Sequence, residues 1–385
     1  MNKTICVYPW EGAAYRPIGQ VLPCCRYRLN EKLDIFKNGN DNNFRSGEEW
    51  QSLREKMLSG EEVTECEKCY TEEKSNLKSM RQMMTPADFV PTSSAPHKLK
   101  YLEMAFSNLC NLACVSCRKE YSTKWATEDY KHSRLIDIKP LINQKHDMDN
   151  IDVSDVKWLK IIGGEPFMEQ AQFINLIKRT DISNLSLIVA TNGTMLPNAE
   201  LKSLMDKCKH VMIEVSIDGT NTVNEWYRWP TKFNDIEETF DQFKEWWGDQ
   251  PKKYHIRAKH LINIYNIWNL DEFVIYMKSR HPNVNVSYDW IWGPAWQSLS
   301  IIPAQLKSNL IKKLEKCAET IDGNWDAHHE NIFKVSIDRV MDNPSGSWQE
   351  FKTRTLNLSK ERKLNVLEMV PHLKSILEEL NEALE

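Results

Sequence analysis

Cys110, Cys114 and Cys117 lie within the eight residues CNLACVSC. Three thiols this close cannot close a disulfide framework, because one sulfur is always left over. They can hold a metal, and three protein ligands leave one metal position open. A cubane 4Fe–4S cluster bound at three irons keeps its fourth for a small molecule, whereas structural zinc ordinarily takes four protein ligands. Five more cysteines precede this stretch: Cys6, Cys24 and Cys25 in CVYPWEGAAYRPIGQVLPCCRY, then Cys66 and Cys69 as a CxxC pair. Four thiolates drawn from these segments suffice for a closed site, and their spacing alone does not separate zinc from an iron–sulfur cluster. Cys208 and Cys317 fall in predicted helical settings, where a buried structural cysteine is the commoner case.

The elements that must position these residues follow a repeating pattern. From residue 98 onward, short runs rich in apolar and β-branched residues alternate with longer helical or polar segments. The runs cover 100–107, 156–163, 185–192, 210–218, 254–263 and 285–292. Such alternation predicts an α/β fold with a parallel sheet and right-handed crossovers. Six strands suit a partial barrel of the TIM type, two short of the closed form. Residues beyond 300 show helical three-and-four spacing. Three prolines with serine and threonine neighbours in TPADFVPTSSAPHK mark an edge. The expected division is therefore a cysteine-rich domain over 1–95, a (β/α)6 barrel over 96–296 and a helical region over 297–385.

The first predicted strand ends where the three cysteines begin, at the C-terminal sheet edge on which parallel α/β folds build their sites. Three further segments end strands at the same edge: GGEP at Gly163–Pro166, TNGT at Thr191–Thr194 and SIDG at Ser216–Gly219. The glycine pair allows close backbone approach, and Glu165 brings negative charge. Ser216 and Asp218 share one face of an extended strand.

The bulk composition narrows the classes. With 385 residues, two or three domains are expected. Fifty basic against 54 acidic residues argue against a nucleic-acid-coating surface. No apolar run reaches membrane-span length and MNKTICVYPW has no signal-peptide apolar core, so a cytoplasmic setting is expected, with reduced thiols.

CxxxCxxC after a first strand, with GGEP, TNGT and SIDG in order behind it, resembles the radical S-adenosylmethionine (SAM) enzymes. The resemblance implies that Cys110, Cys114 and Cys117 ligate a 4Fe–4S cluster whose open iron chelates SAM. An electron then splits SAM into methionine and a 5′-deoxyadenosyl radical that takes hydrogen from a substrate. It further implies cofactor contacts at Ser116, Gly163, Gly164, Glu165, Thr191, Asn192, Ser216 and Asp218, with Arg228 near the SAM carboxylate or an acidic substrate group. Tyr288 or Trp290 would stack on adenine. Ser116 stands where the family usually has an aromatic residue, and the contact there is made by backbone.

The run Cys, Pro-Trp, Gly-x-Val-x-Pro-Cys-Cys, Cys-x-x-Cys and Ser-x-x-Arg resembles the auxiliary-cluster region of SPASM and Twitch radical SAM proteins, placed here ahead of the barrel. The cysteine count fits one auxiliary 4Fe–4S cluster, on Cys6, Cys24, Cys66 and Cys69, with Cys25 spare. Related enzymes imply an oxidoreductase or peptide-modifying activity, with a peptide or protein side chain as the preferred substrate. An external electron donor such as flavodoxin or ferredoxin is also implied. Alternatives are a Twitch-type dehydrogenase of a small sugar or alcohol, RNA modification, and a non-catalytic zinc-stabilised binding module.

Overall fold

The computed structural model describes residues 4–17, 19–28, 44–74, 78–91, 93–142, 148–248, 250–321, 331–344 and 346–380. An eight-stranded sheet runs through them: β1 (Gly12–Tyr15), β2 (Val21–Leu22), β3 (Tyr101–Ala105), β4 (Trp158–Ile162), β5 (Ser186–Thr191), β6 (His210–Ser216), β7 (Tyr254–Ile262) and β8 (Asn285–Trp290). Their order is β2-β1-β3-β4-β5-β6-β7-β8. The strands from β3 to β8 are the six expected runs, all mutually parallel.

Two strands were not expected. β1 pairs in parallel with β3, Gly12 opposite Tyr101 and Tyr15 opposite Met104, and β2 turns back antiparallel on β1. The cysteine-rich segment thus shares one sheet with strands β3 to β8. β2 and β8 each pair with one neighbour, so the described sheet is not closed into a ring.

Side-chain alternation separates two unlike faces. Leu102, Met104, Leu159, Ile161, Leu187, Val189, Val211, Ile213 and Val215 are all buried against the helical layer. That layer includes the helices Gln170–Lys178, Ala199–Met205, Phe233–Trp247 and Leu270–Arg280. Phe233–Trp247 explains its own docking: Phe233, Ile236, Phe240, Phe243 and Trp247 fall on one stripe and are buried. Each such side chain contributes about 1.5–3 kcal/mol of burial. The opposite, concave face carries Glu103, Lys160, Glu214, Arg257 and Lys259, of which only Glu214 is fully buried. Beyond β8, the helices Ala304–Thr320, Ile332–Met341 and Trp348–Arg362 follow. No described helix is long and apolar enough to cross a membrane.

Candidate active site

The loop after β3 is fixed through its carbonyl groups. Leu112 O accepts from Ser122 Oγ at 2.6 Å, and Ala113 O from Arg362 Nη2 at 2.8 Å. Cys114 O accepts from Trp125 Nε1 at 2.7 Å, and Val115 O from Gln297 Nε2 at 2.8 Å. Backbone N–H groups of Ala113 and Val115 donate to Trp229 O and Tyr227 O. Arg362 is itself held by a buried ion pair to Glu128 at 3.0 Å. Donors from the helix start at Ser122–Trp125 and from the distant Gln297 and Arg362 therefore set the path of one short loop. Cys117 N donates to Cys114 O at 2.9 Å, which closes a turn between the last two thiols.

All three thiols line one cavity of about 1220 Å³. Its wall also takes in Ser116, Gly163, Gly164, Thr191, Asn192, Ser216 and Arg228. Seven of the cofactor-contact residues expected from the resemblance thus line one space with the three thiols; Glu165 and Asp218 are not among its lining. Burial pushes the Cys110 and Cys117 thiols up to about 12, and raises Cys114 as well. Buried thiols of this kind ionise only when positive charge is brought to them. Cys110 Sγ also receives Leu112 N at 3.4 Å and Asn192 Nδ2 at 3.8 Å, donors suited to a thiolate.

The glycines do more than admit a ligand. Gly163 has φ +126°, and a Cβ on Gly164 would stand 2.0 Å from Leu109 O. The bare backbone lets the turn after β4 pack directly on the cysteine loop, where Glu165 N donates to Leu109 O at 2.7 Å. Glu165 differs from its expected place. Its buried carboxylate accepts from Phe167 N (3.1 Å), Thr191 Oγ1 (2.9 Å) and Asn192 N (2.7 Å). It braces the turn after β4 against the turn after β5. Burial pushes its carboxyl up to about 7, against the pull of those three donors.

Asp218 is likewise committed inside the protein: Oδ1 accepts from Leu261 N and Oδ2 from Arg228 Nη1, both at 2.7 Å. Arg228 lines the cavity, and its buried Nε has no hydrogen-bond partner among the described residues. That orphaned donor, beside Cys114 and Cys110, fits a carboxylate or a cluster sulfide. The donor set fits a SAM-binding cluster: three thiols, a free guanidinium N–H and an open glycine backbone.

Tyr288 and Trp290 do not line the cavity. Tyr288 packs edge-on against Phe273 and His260, and Trp290 Nε1 donates to Ser336 Oγ at 3.0 Å. Both face the helical layer, because they share parity with Val286 on β8 and lie in register with His260 and Ile262. The aromatic wall of the cavity comes instead from Trp292, Trp296, Tyr121 and Trp125. Its rim includes Glu350, Arg354 and Glu361 from the Trp348–Arg362 helix. The double tryptophan in IWGPAW, interrupted by Gly and Pro, was the sequence signal for a non-helical aromatic wall.

The structure also brings four N-terminal thiols together. Cys6 and Cys69 are buried, and Cys24 and Cys66 half-buried. After burial, the neighbouring thiols are among what raises each of Cys6, Cys24 and Cys66. Cys25 is set apart: besides Cys24 its charged neighbours are Glu103, Arg16 and Lys160, on and around the concave face. Among the described residues no group of three or more His, Cys, Asp or Glu is arranged to hold a single metal ion. Four thiolates on one zinc would stand only about 3.8 Å apart, from Zn–S bonds of about 2.3 Å.

Residues 102–233 match the family described as a 4Fe-4S single cluster domain, about a third of the chain. That stretch contains the three loop cysteines, GGEP, TNGT, SIDG and Arg228. No curated protein matches the chain. Among solved structures, native anSMEcpe with bound AdoMet and Cp18Cys peptide aligns at 15% identity and a TM-score of 0.36, over 56% of this chain and 59% of its own. Streptococcus suis SuiB aligns at 13% identity and 0.39, over 84% and 64%. TYW1 with a lysine-pyruvate adduct bound aligns at 14% identity and 0.31, over 57% and 75%. The chain spans less than two thirds of the anSMEcpe and SuiB chains.

Proposed function

We propose that the chain is a radical SAM enzyme. The observation that carries this reading is the convergence of Cys110, Cys114 and Cys117 on one cavity wall with Gly163, Gly164, Thr191, Asn192, Ser216 and Arg228. The match of residues 102–233 to a 4Fe–4S domain supports the metal. Once bound, the cluster would supply one electron to SAM, giving methionine and a 5′-deoxyadenosyl radical that removes hydrogen from the substrate.

The protein's own part is binding and exclusion of water. The three thiols would hold the cluster with one iron left to SAM, and Arg228 would offer its unpartnered N–H to the carboxylate of the cofactor. Glu165 and Asp218 keep the walls in place without touching the ligand. The aromatic residues Trp125 and Trp296 restrict water.

The second thiol group, Cys6, Cys24, Cys66 and Cys69, is proposed to hold one auxiliary 4Fe–4S cluster. Its four-thiol set would leave no vacancy for a further ligand. For the substrate we propose a peptide or protein side chain. A cavity of about 1220 Å³ exceeds the roughly 300–1,000 Å³ common for small-molecule pockets, which leaves room beside SAM.

The deciding experiment is anaerobic reconstitution followed by reduction with dithionite in the presence of SAM. 5′-Deoxyadenosine is expected even without substrate. Its absence from protein carrying intact clusters would overturn the reading.

A further inference from the structure

The concave face of the sheet carries charge that the cavity wall does not use. Ile162, Ala190 and Ser216 line the cavity at the ends of β4, β5 and β6. Next to them on the same face stand Lys160, Glu214, Arg257 and Lys259. The register makes them neighbours: Glu214 lies opposite Arg257, and Ser216 opposite Lys259. A helix-covered parallel sheet normally buries apolar side chains on both faces. Here one face keeps ionic side chains that remain partly open.

The pairing is uneven. Glu214 is nearly fully buried and takes Lys160 Nζ at 2.8 Å. Arg257 reaches the same carboxylate only at 3.5 Å. Lys259 has a hydroxyl contact alone, Ser287 Oγ at 3.2 Å, and no carboxylate partner among the described residues. Glu103 is paired with Arg16 at 3.2 Å, and among the described residues Asp289 forms no ion pair with Arg257 or Lys259. Burial opposes ionisation of Glu214, yet the charges of Lys160, Lys259 and Arg257 hold its carboxyl below the usual range. Glu214 thus lies in the field of three cations, and of these Lys160 also feels Glu103.

We propose that Arg257 and Lys259 form the anion-recognition site for the substrate, receiving a carboxylate or phosphate group beside the cavity floor at Ser216. Calling the ligand a substrate rests on the radical SAM reading. The anion site itself rests on the sheet. Arg257 supplies a planar donor fork and Lys259 a mobile point charge, and partial burial strengthens both relative to a surface pair.

The test is isothermal titration calorimetry on the cluster-reconstituted full chain, with triglutamate peptide, inorganic pyrophosphate and neutral triglutamine peptide as probes. At least one anionic probe is expected to bind about tenfold or more tightly than triglutamine. A preference for triglutamate identifies carboxylate as the group, and a preference for pyrophosphate identifies phosphate. Lys259→Gln should weaken that binding about tenfold, and Lys259→Arg should restore it to within about threefold. Melting temperatures of both variants check that they are folded. Equal binding by wild type and Lys259→Gln, or binding of neither anion, overturns the proposal. Failure to form 5′-deoxyadenosine in the separate SAM assay would instead overturn the enzymatic reading and leave the anion titration standing.

Discussion

The two cysteine groups present similar thiols in opposite surroundings. Cys110, Cys114 and Cys117 all face a cavity of about 1220 Å³, and none of the four N-terminal thiols lines it. Both groups are fixed by buried arginines on backbone carbonyls. Arg362 donates to Ala113 O beside the loop, while Arg81 donates to Ile5 O and pairs with Glu73 beside Cys6. Arg54 ties Pro9 O and Arg45 O together in the same N-terminal region. What differs is the count of thiols against the space beside them. On the proposed reading, three thiols at the cavity would leave one metal position for a further ligand, and four thiols would leave none.

The largest effect should come from removing either set. Reconstituted protein is expected to carry about eight irons per chain. Cys110→Ala, Cys114→Ala, Cys117→Ala together should lower this to about four and abolish 5′-deoxyadenosine. Cys66→Ala with Cys69→Ala should cost the same share of iron while sparing part of the 5′-deoxyadenosine. Iron assay and product chromatography on the same samples check both. Equal loss of 5′-deoxyadenosine from the two variants would break the division of roles.

Gly164→Ala attacks the open site without touching a ligand. Its Cβ would lie 2.0 Å from Leu109 O and 2.4 Å from Leu109 C, backbone atoms that cannot rotate away. A displacement of this size in the cysteine loop is expected to cut SAM cleavage by about a hundredfold. Initial rates of 5′-deoxyadenosine formation, normalised to bound iron, provide the measure. Arg81→Met is the matching lesion at the closed site. It strands the mostly buried Glu73 carboxylate and frees Ile5 O, and is expected to cost about 3–5 kcal/mol in denaturant unfolding. Loss of iron should then be confined to the N-terminal share.

The sequence made the open site far more legible than its enclosure. Parallel strands buried by helices read as continuous β-branched runs, so β3 to β8 could be located, along with the turns at their ends. β1 and β2 escaped because GAAY and a two-residue VL carry no period. Tyr288 and Trp290 were misplaced by identity, since aromatic residues on a last strand suggested a base-stacking wall. Parity would have corrected this: Ala258, His260 and Ile262 are the buried set of β7, and Tyr288 and Trp290 lie opposite them. The rim from the Trp348–Arg362 helix could not be found by motif, because its approach to the loop depends on tertiary contacts such as Arg362 with Glu128, 234 positions apart.

Glu165 gives the finest test of how the open site is held. Its folded carboxyl lies at about 7, against an ordinary value of 4.5, so the folded chain binds this proton more tightly than the unfolded chain. The resulting stabilisation is complete below the ordinary value and is lost as pH rises toward 7. Over that span the shift corresponds to roughly 3 kcal/mol as an upper bound. Glu165→Gln has no such proton, so the stability difference between wild type and variant should shrink steadily from pH 4.5 to 7 and then level off. Urea unfolding of both proteins at pH 5 and pH 7.5 measures it, and the paired comparison cancels the other carboxylates. A difference that grows with pH would mean that Phe167 N, Thr191 Oγ1 and Asn192 N outweigh burial and keep the carboxylate ionised. In that case the turns after β4 and β5 are joined by a charged brace at every pH where the protein is folded, and the open site loses this expected sensitivity to protonation.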